Sequence, residues 1–320
     1  MSDFVAAPAD ANLPNVVSTF ELPLSPRVRA WRRFRRNKPA LAGLVFVVVL
    51  AALVVVWPWV TSFPPNAVSD AQFQSPGSEH WFGTDVHGRD LLARTMDGAR
   101  ISLLVGAVGA GVSLVIGVLW GAIAGYVGGR TDEFMMRFVD ILYALPSIIF
   151  VIVLVTTLEA TVKSLVGNSP FGVSLRLLFL FVGLGAVSWL TMARIVRGQV
   201  LSLRHRQFVD ATRSLGGTHA RILFRHILPN TVGVIIVYLT LTVPSVILYE
   251  SFLSFLGLGI QPPMASWGSL ISEGAQQLNP IRIYWWLLAF PCAMLIATLL
   301  ALNFVGDGLR DACDPRDDRL

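Results

Sequence analysis

Residues 39–60 read PALAGLVFVVVLAALVVVWPWV, with no Asp, Glu, Lys or Arg in the run. A helix needs about 20 mostly apolar residues to cross about 30 Å of hydrocarbon. Only a helix or a closed barrel satisfies its backbone there, and a continuous run of this kind lacks the alternation of a barrel strand. The same search finds 101–129 uncharged and 138–158 with only Asp140, at its edge. It also finds 177–193, extending to about 197, then 231–257 with only Glu250, and 283–306 uncharged. The expectation is an all-α polytopic membrane protein with six transmembrane helices and both termini on one side.

Composition closes the alternatives. The chain is 54% hydrophobic and 14% charged, with a mean hydropathy of +0.64. Soluble domains carry about a quarter charged residues, so a water-soluble enzyme is excluded, and apolar dominance excludes a disordered chain. The two cysteines, Cys292 and Cys313, fall in an apolar run and a charged tail and imply neither a disulfide framework nor a metal cluster.

Orientation follows from Lys and Arg. Arg27, Arg29, Arg32, Arg33, Arg35, Arg36 and Lys38 crowd before the first span. With that end cytoplasmic, 19 of the 25 positive residues lie on inner segments, leaving Arg89, Arg94, Arg100, Lys163, Arg176 and Arg282 outside. Both termini are therefore expected in the cytoplasm. The net charge of +5 reflects topology and anionic membrane lipid, not nucleic acid. The expected organisation is a cytoplasmic tail over 1–38, a first span over 39–60 and an extracytoplasmic loop over 61–100. A five-helix core over 101–306 includes an inner loop at 198–230, and a cytoplasmic tail spans 307–320. Residues 1–26 carry four prolines and three acids with no apolar core, which is not a signal peptide and is expected to be mobile.

Within the spans, Gly117, Gly121, Gly125 and Gly129 recur at intervals of four. Small residues at that spacing let a neighbouring helix approach closely in lipid. Pro146, Pro244 and Pro291 each remove a backbone donor and can kink a span. Glu250 is costly in lipid and must face protein or water. It is a candidate for contact with a substrate amine on a translocation path, or a structural carboxylate bonded to hydroxyls. Arg137 and Asp140 lie one turn apart and are read as a helix-end ion pair.

No phosphate-cradling loop is present: Lys38 follows Asn37 and Lys163 follows Val162. Neither an HExxH pattern nor GxSxG occurs, so no catalytic residue and no metal site are expected. An ATP-driven process would have to hydrolyse ATP on another chain.

The inner loop 198–230 reads GQVLSLRHRQFVDATRSLGGTHARILFRHILPN. Phe208, Val209 and Leu215, then Ile222 and Leu223, recur with helical spacing. Gly216–Gly217 stops the first segment, Thr218 can cap a second, and Pro229–Asn230 marks entry to the fifth span. The reading is helix, sharp turn, helix on the cytoplasmic face; an amphipathic helix lying on lipid is the alternative.

This loop resembles the conserved inner-loop pattern of bacterial ABC-importer permeases: acidic-Ala-Ala, three residues, Gly, nine residues, a hydrophobic or His residue, any residue, Leu-Pro. Here Asp210, Ala211 and Thr212 open it, Gly216 follows at the same distance, and His226, Leu228 and Pro229 close it. Asp stands for the usual Glu and Thr for the second Ala. HWFGTDVHGRDLLARTMDGARISL (80–103) is similar to the matching segment of dipeptide, oligopeptide and nickel permeases. The stretches 187–203, 249–275 and 304–319 resemble the C-type permease of oligopeptide importers. The tail and the stretch 159–175 lack a counterpart.

The resemblance implies the type I importer permease fold in the bacterial inner membrane. It also implies a second permease of B type, two ATP-binding subunits and an extracytoplasmic peptide-binding protein. ATP and Mg would sit on the ATPases, with no cofactor on this chain. The coupling residues implied are Asp210, Ala211, Thr212, Arg213, Leu215, Gly216, Gly217, His226, Leu228 and Pro229. Oligopeptides are the expected cargo, with dipeptides, nickel or another small solute as the alternative. An ion-coupled secondary transporter or an assembly protein leaves the loop pattern without a role.

Overall fold

The computed structural model of the chain describes residues 26–166, 170–278 and 281–313. The tail expected to be mobile lies outside these residues except for Pro26, as do residues 314–320. Among the described residues every named element is a helix.

Helix α1 (Pro26–Arg36) is followed after Asn37 by α2 (Lys38–Val60). Asn37 Oδ1 accepts from the Ala40 amide at 3.2 Å, which satisfies one of the orphan donors of the helix start. Phe34 is buried with Ala40 and Ala312, tying both ends of the described chain together.

Helix α3 (Leu91–Val127) starts inside the expected outer loop, ahead of the uncharged run 101–129. Asp90 caps it, accepting from the Ala93 amide at 2.7 Å. Counting charges put the start too late, because Arg94 is neutralised within the protein and is 2% exposed. Gly128, at φ +70°, ends α3 and passes the chain to α4 (Gly129–Ala144). A positive φ at that point costs glycine little.

The single span expected over 138–158 is corrected. The segment belongs to two helices, α4 and α5 (Ser147–Val166), which meet at 94°. Pro146 disfavours helical backbone at the residue before it, and Leu145 is extended at φ −77°, ψ 137°. Helix α6 (Pro170–Leu203) is longer than its uncharged run, and α7 (Gln207–Ser214) is short.

Helix α8 (His219–Phe255) runs through a π-turn at Ile222–Ile227. Pro229 sits in the first turn of the regular α-helix that follows, Leu228–Phe255, where the fifth span is expected to begin. Pro229 has no amide to give the Arg225 carbonyl, and the wider turn before it absorbs the mismatch. Asn230 Nδ2 donates to the His226 carbonyl at 2.6 Å. Helix α9 (Trp267–Gln276) opens on a reciprocal Ser266–Ser269 cap, and α10 (Trp286–Cys313) closes the fold. Among the described residues five helices are long and apolar enough to cross a membrane, or six if α4 and α5 form one broken span.

The most extensive helix pair is α3 with α6. A Cβ at Gly117 would lie 2.6 Å from Met192 Cβ, one at Gly121 would collide with the Ala193 carbonyl, and one at Gly125 would lie 2.8 Å from the Arg197 carbonyl. Gly129 does not share this face. It begins α4 at φ +56°, with open space around its Cβ position, because the turn at Gly128 breaks the four-residue spacing. The expected Arg137–Asp140 pair is replaced too: Asp140 Oδ1 accepts from Arg194 on α6 at 2.6 Å.

Candidate functional site

The segment after α6 folds as a projecting hairpin. Val209 is fully buried against Ile222, Leu223 and Ile227 of α8 and Val196 and Val200 of α6. This one anchor leaves the rest of α7 facing outward. Asp210, Ala211 and Arg213 are exposed, and Leu215 is 87% exposed. Asp210 meets Arg213 at 3.4 Å, a loose surface pair worth little. Thr212 Oγ1 donates to the Phe208 carbonyl at 2.8 Å.

The turn is built by glycine. The Gly216 amide donates to Arg213 and the Gly217 amide to Thr212, each at 3.0 Å. Gly216 takes φ +76° with open space around it, while Gly217 packs on Thr212. Thr218 then accepts from the Arg221 amide at 3.4 Å and starts α8. His226 and Leu228 are half-buried and Pro229 is exposed, so the end of the motif lies within α8 rather than on the projecting tip.

A cavity of about 600 Å³ opens at the elbow between α4 and α5, against α6 and α8. Its wall carries the hydroxyls of Tyr143, Ser188, Thr191, Tyr238, Thr242, Ser245 and Tyr249 among apolar residues. No charged side chain lines it among the described residues. Tyr143 and Thr191 bond each other at 2.9 Å, and Arg194 stacks over the Tyr143 ring at 4.0 Å. Two α4–α6 ties hold this elbow: the Asp140–Arg194 pair and a two-pronged Asp132–Arg197 pair at 2.5 and 2.6 Å. Sequence reasoning missed this wall. The signal was available, because Tyr238, Thr242, Ser245 and Tyr249 recur at helical spacing along one face of α8.

Glu250 lies elsewhere. It is 0% exposed and accepts from Ser254 at 2.6 Å and Ser102 at 3.3 Å, with Ser251 at 3.5 Å. It is absent from the cavity wall. Ser254 Oγ also accepts from the Ile260 amide, so the carboxylate pins the turn after α8 against α3. The geometry matches the structural carboxylate that the sequence leaves open, and not a side chain reached from the cavity.

A second cluster sits at the N-terminal end of α3 and was also missed. Arg94 Nη1 reaches Asp85 at 2.8 Å and Glu273 at 2.5 Å, and its Nη2 reaches Glu273 at 3.0 Å. Arg89 joins Asp85 at 2.6 Å, and His80 meets Asp90 at 2.8 Å. Trp286 Nε1 donates to the Thr84 carbonyl at 3.2 Å. This network welds the loop before α3 to α9 and α10.

Comparison with known proteins agrees with this architecture. A family model described as binding-protein-dependent transport system inner membrane component matches residues 117–318. A model of the N-terminal TM domain of oligopeptide transport permease C matches residues 25–76. The oligopeptide transport system permease protein OppC of Haemophilus influenzae is 48% identical over 294 residues, covering 90% of this chain and 88% of that protein. The dipeptide transport system permease protein DppC of Bacillus subtilis is 43% identical over 290 residues, covering 90% and 85%. An inward-facing structure of the MetNI methionine ABC transporter aligns with a TM-score of 0.52 at 17% identity, over 67% of this chain and 94% of its own; that likeness is one of fold. The chain belongs to the binding-protein-dependent inner membrane components, the permease subunits of ABC importers, in the branch that holds the oligopeptide and dipeptide C-type permeases.

Proposed function

We propose that this permease carries oligopeptides into the cytoplasm, and that the 207–217 hairpin is where ATP hydrolysis on partner subunits is felt. The observation that carries the coupling assignment is the hairpin itself. Buried Val209 fixes α7 to α6 and α8, while Ala211 and Leu215 stay exposed for a partner. An exposed leucine beside a small residue favours a protein groove over water. A push on such a rigid knob moves the bundle as a body.

The partners in this reading are a B-type permease, two ATP-binding subunits holding ATP and Mg, and an extracytoplasmic peptide-binding protein. The chain binds no cofactor and hydrolyses no ATP, which accords with its lack of a P-loop. Both termini face the cytoplasm, which accords with the placement of Lys and Arg. The elbow cavity is the chain's share of the translocation path. Its hydroxyls can exchange hydrogen bonds with peptide amides that are costly to desolvate alone. The names of the relatives support the peptide cargo, and the identity to DppC favours dipeptides as the second reading.

The test is reconstitution of the chain with its four partners in liposomes. Uptake of oligopeptide with peptide-stimulated ATP hydrolysis is expected, and uptake of dipeptide alone would shift the cargo. Labelling of either terminus from outside intact cells would reverse the orientation.

A further inference from the structure

Beyond transport itself, we infer that the chain holds a phosphate-binding pocket where three of its membrane helices end, and that its occupant is the headgroup of an anionic phospholipid. The pocket measures about 590 Å³ and is lined by Tyr126, Val127, Arg204, His205, Arg213 and His219. Tyr126 and Val127 end α3, Arg204 and His205 directly follow α6, Arg213 belongs to α7, and His219 begins α8.

The charge there is unbalanced. Arg204 has no ion pair among the described residues, and Arg213 meets Asp210 loosely, at 3.4 Å. Arg204 Nη1 donates to the Gly125 carbonyl at 3.2 Å and to that of Tyr126 at 3.5 Å. Its Nε donates to His205 Nε2 at 2.8 Å. The Nη2 group has no protein partner among the described residues. His205, accepting at Nε2, carries its proton on Nδ1. His219 Nδ1 meets the Tyr126 hydroxyl at 2.9 Å, leaving Nε2 for another group. Arg204 Nη2 and His205 Nδ1, joined by His219 Nε2 in the tautomer that carries a proton there, thus offer donors without an acceptor in one pocket, the chemistry that recognises a phosphate.

Depth selects the source. The apolar run 101–129, carried by α3 as far as Val127, closes at the pocket, where hydrocarbon gives way to lipid phosphates, and Val127 on the pocket wall is 58% exposed. This is also the end of the bundle rich in Lys and Arg, which faces the anionic leaflet. A phosphate seated here would bridge the root of α6 to α7 and α8 and so stiffen the coupling hairpin.

The test uses the assembled importer in nanodiscs of phosphatidylcholine, with or without phosphatidylglycerol. Retained phosphatidylglycerol is counted by native mass spectrometry, and peptide-stimulated ATP hydrolysis is measured alongside. Wild type is expected to retain the anionic lipid and to hydrolyse ATP faster with it. Arg204→Gln should weaken lipid retention about fivefold, the effect of one basic group near the surface, with His219→Gln acting in the same direction to a smaller extent. Arg32→Gln removes an exposed charge of the polybasic α1, away from the pocket, and should lower phosphatidylglycerol retention less than Arg204→Gln does. If Arg204→Gln fails to assemble, the His205→Gln, His219→Gln pair carries the same comparison. Inorganic phosphate that restores wild-type hydrolysis in pure phosphatidylcholine keeps the site and makes free phosphate its source. Unchanged phosphatidylglycerol retention in all the pocket variants overturns the proposal. Loss of the ATPase subunits with lipid retention intact overturns it too, and assigns the pocket to an acidic surface of the ATPase.

Discussion

Gly121 faces the carbonyl oxygen of Ala193 so closely that no side chain fits between them. The central pair α3–α6 therefore meets backbone to backbone, the close approach that replaces hydrophobic driving force between helices in lipid. Gly121→Leu is expected to force the pair apart at a cost of about 1–3 kcal/mol, seen as a lower unfolding temperature in detergent and a reduced yield. Gly111 lies on the same helix with open space at its Cβ position. Gly111→Ala should leave both readings near wild type, and equal damage from the two substitutions would remove the packing argument.

Arg94 supports a second prediction. It is 2% exposed and bridges Asp85 to Glu273, so removing it takes one of two cationic partners from the buried Asp85 carboxylate. Arg94→Met should cost ~3 kcal/mol, the lower part of the range for breaking a buried pair, because Arg89 remains on Asp85. Glu273→Gln should cost less, since Glu273 is partly solvated at 35% exposure. Thermal unfolding of the two variants in one detergent gives the ranking, and the reverse order contradicts this account.

These cases show what sequence patterning can reach. The five long apolar helices, the 207–217 hairpin and the family pattern are carried by runs and spacings local to the chain. The start of α3 is not, because Arg94 is neutralised by Glu273, a partner far along the sequence. Gly129 has the right spacing for the packing stripe, but Gly128 turns the chain before the period is complete. The elbow at Pro146 is visible as a proline, while its 94° bend depends on the packing of both arms. Glu250 stands out as a lone charge with Ser254 one helical turn away, yet its role also rests on Ser102, a partner 148 residues distant that no periodicity pairs with it.

The elbow cavity yields a third prediction. Thr242 is half-buried on its wall, on the hydroxyl face of α8. Thr242→Trp fills that space without adding charge, and peptide uptake is expected to fall at least about tenfold, a barrier change of roughly 1.4 kcal/mol. ATPase co-purification should stay normal, since the hairpin is untouched. Thr242→Ser keeps the hydroxyl and should transport near the wild-type rate. Unimpaired uptake by the tryptophan variant would take the cavity off the path.

The last prediction concerns the turn that aims the hairpin. Gly216 sits at φ +76°, in the left-handed region that costs residues with a Cβ about 1–2 kcal/mol. The space around it is open, so Gly216→Ala adds backbone strain alone and should reduce uptake only in part. Gly216→Pro fixes φ near −65° and removes the amide that donates to Arg213. The turn must then rebuild, and Ala211 and Leu215 no longer present together. Uptake should be abolished while membrane insertion persists, because the turn lies outside the apolar spans. Asp210→Lys should act in the same direction but more weakly: it removes the loose Arg213 pair and reverses charge at the contact. A hairpin that merely lay on anionic lipid would respond oppositely, since a new lysine there favours the membrane. The measurement is peptide uptake beside ATPase co-purification for all three variants, with a surface-exposure assay for insertion. Retention of both activities by Gly216→Pro and Asp210→Lys would sink the coupling role of this segment.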